Sequence, residues 1–527
     1  MTSAAGTPRF TDAVPQLHDY LIHSARRLGH KVALVCGGER LTYRDLDDRS
    51  NALAHALVRR DIRRGDRVLI YSDNTVESVV AFWGVLKANA VASVISSSTR
   101  PAKLAHLLND CQAAGLITDA RHTVAFAEAA SRAAHLRVVI VSGPVDRELV
   151  GGLPGVAGWN EAVAGQPTGG APARLNVDLD LAAIIYTSGS TGVPKGVMLT
   201  HRNMLTAAAS ITAYLGNVED DVIVSVLPLS FDYGLYQMIM AFRMGARLVL
   251  ERSFAYPVQV LGTMAAERVT GFPGVPTVFA TLAEMKTLAG HDLSSVRYVT
   301  NTAAALAPKH LAFLRAAFPS ARIYSMYGLT ECKRCTYLPP EDIERKPGSV
   351  GIAIPNTEIW IVDEDGRRVE ANRVGQLVVR GATVMRGYWG NPEATARRLR
   401  PGPLPGETVL YTGDACRLDE EGYLYFVGRM DDVIKSRGEK VAPREVEAAL
   451  LAVPGVKEAA VIGVPDDILG EAIKAYIVRE AGSALTEKRI QRECQRQLES
   501  FMVPKYVVFV PDLPRTSTGK IARKELL

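Results

Sequence analysis

The sequence predicts an α/β protein. A large N-terminal domain of mixed α/β subdomains ends in a β-rich subdomain, and a small α+β C-terminal domain follows. Three observations carry this. Apolar runs of strand length alternate with stretches of helical spacing through residues 67–250. Between residues 351 and 425 the texture changes to short alternating strands, punctuated by Asp365-Gly366 and Glu421-Gly422. The last hundred residues then return to mixed helix and strand patterns.

In chain order, Arg67–Tyr71 reads as a strand, residues 75–87 as a helix and Val91–Ile95 as a strand. That succession predicts a right-handed crossover in a mostly parallel sheet. Residues 222–226, a helix around 235–243 and Arg247–Leu250 repeat the architecture without repeating the sequence. Between the two units, residues 144–180 are rich in glycine, proline and alanine and predict a surface connection without long elements. Near the end, Pro443 sits where the first turn of a helix tolerates it, opening a helix to about residue 452. Strands at 458–463 and 472–478 and a helix over 486–498 complete the small domain.

A chain of 527 residues, 47% hydrophobic and 22% charged, is long enough for more than one domain. A net charge of +5 gives no case for nucleic acid as a partner. Six scattered cysteines form no disulfide framework, which points to a reducing, cytoplasmic location. Cys332 and Cys335 make a Cys-x-x-Cys pair, but no second pair or nearby histidine completes a zinc site. Met1 to Gly6 lack a basic segment followed by an apolar core, and no apolar run approaches membrane-spanning length. A soluble protein with no membrane partner is expected.

The most informative stretch is Tyr186-Thr187-Ser188-Gly189-Ser190-Thr191-Gly192-Val193-Pro194-Lys195-Gly196, which follows an apolar run of strand length at 181–185. Glycines let backbone N–H groups turn toward an anion, the hydroxyls of Thr187, Ser188, Ser190 and Thr191 donate further, and Lys195 adds positive charge. A Walker A loop ends in Gly-Lys-Ser/Thr, whereas here Pro194 precedes the lysine and Gly196 follows it. The run resembles the signature loop of the adenylate-forming superfamily: acyl-CoA synthetases, adenylation domains of nonribosomal peptide synthesis, and luciferases.

Activating an acid with ATP brings two anions together. It therefore calls for cationic and hydrogen-bonding groups aimed at the phosphates rather than covalent chemistry by the protein. Further stretches are similar to the superfamily's motifs in its own order. Tyr324-Ser325-Met326-Tyr327-Gly328-Leu329-Thr330-Glu331 resembles the Tyr-Gly-x-Thr-Glu motif. The resemblance implies that Tyr327 and Gly328 line the adenine, Thr330 contacts the α-phosphate and Glu331 holds Mg²⁺, a role suited to a hard oxygen ligand. Tyr411-Thr412-Gly413-Asp414 resembles the ribose element, with Asp414 accepting from both hydroxyls. Residues 428–435 resemble the hinge segment, with Arg429 at the ribose or phosphates and Asp431 as the pivot. Gly438 and Lys440 fall in the loop that lines the thiol tunnel, and Lys520, in Thr518-Gly519-Lys520, matches the catalytic lysine of a mobile C-terminal domain. The expected division is thus residues 1–428, a hinge over 429–435, and a mobile domain over 436–527. The glycine-rich adenine strand of the family appears here as Asn301-Thr302-Ala303-Ala304-Ala305-Leu306. Ala303 is assigned to the nucleotide and Asn301 to the acid, and the added methyl groups narrow that wall.

The acid itself is read from Phe231-Asp232-Tyr233. Amino-acid adenylation domains carry Phe-Asp here, and their aspartate pairs with the substrate ammonium. A carboxylate in apolar surroundings is costly unless a cation meets it. A second reading makes Asp232 a helix cap. Leu329 stands where α-amino-acid domains generally have proline. The combination is most similar to the stand-alone β-amino-acid adenylating enzymes of macrolactam polyketide biosynthesis, which load a separate phosphopantetheinylated acyl carrier protein. Lys333 and Arg334 suit a second carboxylate if they point inward, as for an aspartate-type β-amino acid, and are otherwise exposed. The alternative is an AMP-forming CoA ligase for a fatty or aryl acid.

Overall fold

The computed structural model describes residues 16–526 apart from 189–193, 286–287, 303–305, 307, 431–433, 437–438, 442, 467–468 and 517–520. Arg67–Tyr71, Val91–Ile95, Ala113–Asp119 and Val138–Ser142 pair in parallel within an eight-stranded sheet. Both faces of such a sheet are covered, so its strands are continuously apolar rather than alternating. Val68, Leu69, Ile70 and Tyr71 are accordingly buried in succession. Helix Val76–Lys87 makes the crossover, opened by a capping box in which Thr75 and Ser78 satisfy each other's backbone N–H groups. Its last residue, Lys87, is fully buried, and its ammonium donates to Asp47, Ser50 and Asn51 instead of to water.

The second predicted unit lies in a different, nine-stranded sheet. Val222–Ser225 and Arg247–Leu250 pair in parallel around helix Asp232–Met244. Gly271–Gly274, Tyr298–Asn301 and Arg322–Tyr327 extend the parallel run. Thr336–Leu338 then turns back antiparallel on Arg322–Tyr327. Residues 351–425 contribute most of a five-stranded antiparallel sheet, as the alternating pattern predicted.

The small C-terminal domain is built on a long ribbon, Val456–Asp466 against Gly470–Arg479. Helices Pro443–Leu451 and Glu487–Gln497 pack on the ribbon through Val446, Leu450, Ile490 and Cys494. Three short strands there were not foreseen: the hairpin Ile434–Ser436 with Glu439–Val441, and Tyr506–Phe509, which pairs in parallel with the ribbon. The connection over 144–180 also holds more than expected. It contains two short helices and an edge strand, Val156–Gly158, on the eight-stranded sheet.

Candidate active site

Ligands of open parallel sheets gather beyond the carboxyl ends of the strands, and most of the predicted residues emerge there. Asn301 ends its strand, fully buried, opposite Gly274 on one side and Ser325 on the other. Asp232 opens the helix that follows Val222–Ser225, and the strand Arg322–Tyr327 leads directly into residues 328–335. From the other large sheet, strand Leu181–Ser188 turns back as Pro194–Thr200, with Thr187 opposite Lys195 and Ser188 opposite Pro194. The stretch predicted to hold phosphate therefore lies between two paired antiparallel strands, in contrast to the strand-to-helix P-loop. Gly189, Ser190, Thr191 and Gly192 lie outside the described residues.

The three predicted nucleotide residues Tyr327, Asp414 and Arg429 come together. Asp414 and Arg429 are direct cross-strand partners in the five-stranded sheet, and Arg429 Nη1 donates to Asp414 Oδ1 at 2.5 Å. The Tyr327 hydroxyl donates to the other carboxylate oxygen, Oδ2. Asp414 is 1% exposed, and burial raises its pKa above the usual carboxylate value against the pull of Arg429 and Tyr327. Phe426 lies beside Tyr327, ring centroids 5.6 Å apart. Arg444 of the C-terminal domain stacks on the far partner, its guanidinium 4.4 Å from the Phe426 ring centroid.

Gly328 has no room for a side chain, because a Cβ there would stand 1.9 Å from the carbonyl oxygen of Lys333. This close pass folds residues 328–335 into a tight turn, closed by Cys335 N donating to Tyr327 O at 2.9 Å. Thr330 and Glu331 are half-buried on it. Tyr388 donates to Glu331 Oε1 at 2.7 Å, and Lys195 Nζ lies 5.6 Å from the Tyr388 ring centroid. No cluster of three metal-ligating side chains exists among the described residues. The single half-buried carboxylate of Glu331 fits Mg²⁺, which is commonly held by one or two carboxylates together with substrate phosphates and water. Cys332 and Cys335 are buried, Sγ to Sγ 3.1 Å, with no third ligand among the described residues.

Lys333 has φ +66°, and its side chain is buried. Its Nζ is 3.8 Å from Asp232 Oδ2 and 5.0 Å from the Tyr236 ring centroid. Arg334 is buried too, with its guanidinium 4.6 Å from the Tyr233 ring centroid. Lys333 Nζ, Arg334 Nε and the Tyr236 hydroxyl are buried without hydrogen-bond partners among the described residues. Burial lowers the Lys333 pKa from 10.5 to about 8, against the opposing pull of Asp232. The cap reading of Asp232 does not hold: the helix has Phe231 at its N-cap and no side-chain cap bond. The exposed alternative for Lys333 and Arg334 does not hold either.

Lys520, Asp431, Gly438 and Ala303 lie outside the described residues. Lys440 lies on strand Glu439–Val441, opposite Lys435. Tyr388, Tyr236 and Tyr233 were missed by the sequence reading. Two of them follow the singled-out Asp232, Tyr233 directly and Tyr236 one helical turn on, and Tyr388 sits in Arg386-Gly387-Tyr388-Trp389-Gly390, an aromatic pair between glycines.

The profile of the AMP-binding enzyme family matches residues 21–389, and that of the AMP-binding enzyme C-terminal domain matches residues 445–520. A long-chain-fatty-acid–CoA ligase of Escherichia coli O157:H7 is 31% identical over 538 residues, covering 98% of this chain and 94% of that protein. Among solved structures, the anthranilate CoA ligase AuaEII in complex with anthranoyl-AMP superposes with a TM-score of 0.87 at 29% identity, over 97% of this chain and 96% of that one. ATP-bound MatB from Rhodopseudomonas palustris superposes with a TM-score of 0.86 at 29% identity, over 97% and 98%. With a carboxylate, a tyrosine and an arginine joined across the strands, and a lysine hairpin facing the Glu331 turn, this chain belongs to the AMP-binding enzyme family and is an AMP-forming ligase that binds ATP.

Proposed function

We propose that the enzyme adenylates an aspartate-type β-amino acid, releasing pyrophosphate, and passes the aminoacyl group to the phosphopantetheine thiol of a separate acyl carrier protein. The observation that carries the acid class is the buried group Asp232, Lys333 and Arg334, in which Lys333 Nζ and Arg334 Nε lack hydrogen-bond partners among the described residues. Buried polar groups are nearly always hydrogen-bonded, so two buried cationic nitrogens without such bonds among the described residues favour an anionic ligand group. Asp232, too far from Lys333 for a hydrogen bond, keeps acceptor capacity for a substrate ammonium.

In this reading Tyr327 and Gly328, with Ala303, hold adenine. Asp414 and Arg429 hold ribose, and the loop from Thr187 to Gly192 with Lys195 holds the phosphates. Thr330 and Lys520 act at the α-phosphate as the acid's carboxylate attacks it. Asn301 lines the acid side. Glu331 would hold Mg²⁺, which when bound supplies charge neutralisation at the phosphates. Asp431 is the pivot over which residues 436–527 turn, bringing Gly438 and Lys440 to the thiol path.

A second reading rests on the same pair. Lys333 already offsets the Asp232 charge, so an acid with a distal carboxylate and no amine leaves the cluster neutral. Pyrophosphate exchange over aspartate, 3-methylaspartate, 3-aminobutyrate, β-phenylalanine, and plain dicarboxylic, fatty and aryl acids separates the readings. Preference for aspartate or 3-methylaspartate supports the proposal. Preference for fatty or aryl acids contradicts both readings and leaves a CoA ligase of that class.

A further inference from the structure

Residues 385–389 join the two halves of the nucleotide site. Gly387–Tyr388 pairs antiparallel with the return strand of the phosphate hairpin, Gly387 opposite Met198 and Tyr388 opposite Val197. Arg386 N donates to Met198 O at 3.0 Å and Trp389 N to Gly196 O at 2.7 Å. One residue earlier, Met385 N donates to the backbone carbonyl of Glu331 at 2.7 Å. The segment is thus bonded at one end to the strand that carries Lys195 and at the other to the turn that carries Glu331. Tyr388 repeats the connection through its side chain. Its hydroxyl donates to Glu331 Oε1 at 2.7 Å, and its ring faces Lys195 Nζ at 5.6 Å, within reach of a cation–π contact. The residue is 4% exposed, and its backbone N–H is held by Thr395 Oγ1 at 2.9 Å, so the ring has little freedom to turn.

We propose that Tyr388 is a positioning residue that sets the phosphate-loop lysine and the Glu331 carboxylate in register before nucleotide arrives. The inference rests on the reading of Glu331 as the Mg²⁺ ligand. A flexible glutamate at this place samples several rotamers, and each one lost on binding metal costs affinity. A hydroxyl bonded to one carboxylate oxygen fixes the side chain while leaving lone pairs for a cation. The ring face restrains the lysine without competing for its hydrogen bonds, so all of its donors stay available to phosphate.

The test is calorimetric titration of ATP at a series of Mg²⁺ concentrations with no acid present, so no turnover enters the readout. Tyr388→Phe keeps the ring and removes the donor. It is expected to raise the Mg²⁺ concentration for half-maximal ATP binding about tenfold, in line with loss of one charge-assisted hydrogen bond, while ATP affinity in EDTA stays at the wild-type value. In a Glu331→Ala background the same substitution is expected to change nothing further. Equal weakening with and without Mg²⁺, or an unchanged Mg²⁺ requirement, overturns the proposal for Tyr388. An unchanged requirement in Glu331→Ala alone overturns the Glu331 reading instead. Should Tyr388→Phe not fold, the comparison passes to Tyr388→His, which returns a donor, and Tyr388→Leu, which does not. Equal Mg²⁺ dependence of those two contradicts the proposal.

Discussion

Lys333 Nζ stands 3.8 Å from Asp232 Oδ2, and the two side chains are 2% and 7% exposed. The separation exceeds a hydrogen bond, so the pair attracts while Lys333 Nζ has no hydrogen-bond partner among the described residues. Leaving one member of a buried pair alone is costly, commonly about 3–5 kcal/mol. The pair is therefore poised to gain from a ligand that brings both signs of charge.

Removing either side chain should discriminate between acids. Asp232→Ala is expected to lower kcat/KM for an aspartate-type β-amino acid about 10²–10⁴-fold, with the KM for ATP changed little. Lys333→Ala should harm acidic substrates selectively and improve the relative use of β-alanine or 3-aminobutyrate. Pyrophosphate exchange with each acid checks both, and a uniform loss across acids would move these residues from recognition to structure.

Lys333 also sets a pH dependence. Its pKa is held at about 8, below the ordinary 10.5, by burial. Below pH 8 the ammonium is charged and can receive a carboxylate. As pH rises through about 8 it loses the proton, and KM for an acidic substrate should climb. Stability runs the other way. Between about 8 and 10.5 the unfolded chain binds more protons than the folded one, so folding stability gains with pH in that window. Lys333→Arg, whose guanidinium stays charged, should flatten the KM profile. A wild-type profile already flat from pH 7 to 9.5 would contradict the assignment.

Lys520→Ala should slow adenylate formation about 10²–10³-fold, the cost of one charge missing at the transition state. ATP binding should be nearly unchanged. Rapid-quench measurement of adenylate alongside calorimetric ATP binding checks the split.

Helix Glu487–Gln497 turns Ile490 and Cys494 to the core and leaves Lys488, Arg489, Arg492 and Arg496 exposed. Arg496 is partly offset by Glu493 at 3.1 Å. If this face receives an acidic carrier protein, Arg492→Glu with Arg496→Glu should slow carrier loading at low salt and spare adenylation. Unchanged loading would assign the stripe to solvent.

The motifs were legible because they are local: Thr187 to Lys195, Tyr327 to Glu331 and Asp414 each lie within one hairpin, turn or strand. The crossover units were legible because Arg67–Tyr71 and Val222–Ser225 are apolar runs of ordinary strand length. What escaped depends on register or on short pairing. Asp414 meets Arg429 across strands whose register shifts at Ala415 and Cys416, a bulge with no sequence period. Lys333 is buried on a turn where its backbone is left-handed and its carbonyl passes close to Gly328, features that composition does not reveal. Tyr388 reaches the phosphate hairpin through a strand of two residues, too short for any alternation to register.

The most direct measurement compares kcat/KM in pyrophosphate exchange for aspartate, succinate and β-alanine. Succinate removes only the amine that Asp232 is proposed to meet, and β-alanine removes only the carboxylate proposed for Lys333 and Arg334. Each deletion is expected to lower kcat/KM by about 10² or more, since each leaves a buried partner unpaired. Succinate used as well as aspartate, or β-alanine preferred to it, would contradict recognition of an aspartate-type β-amino acid.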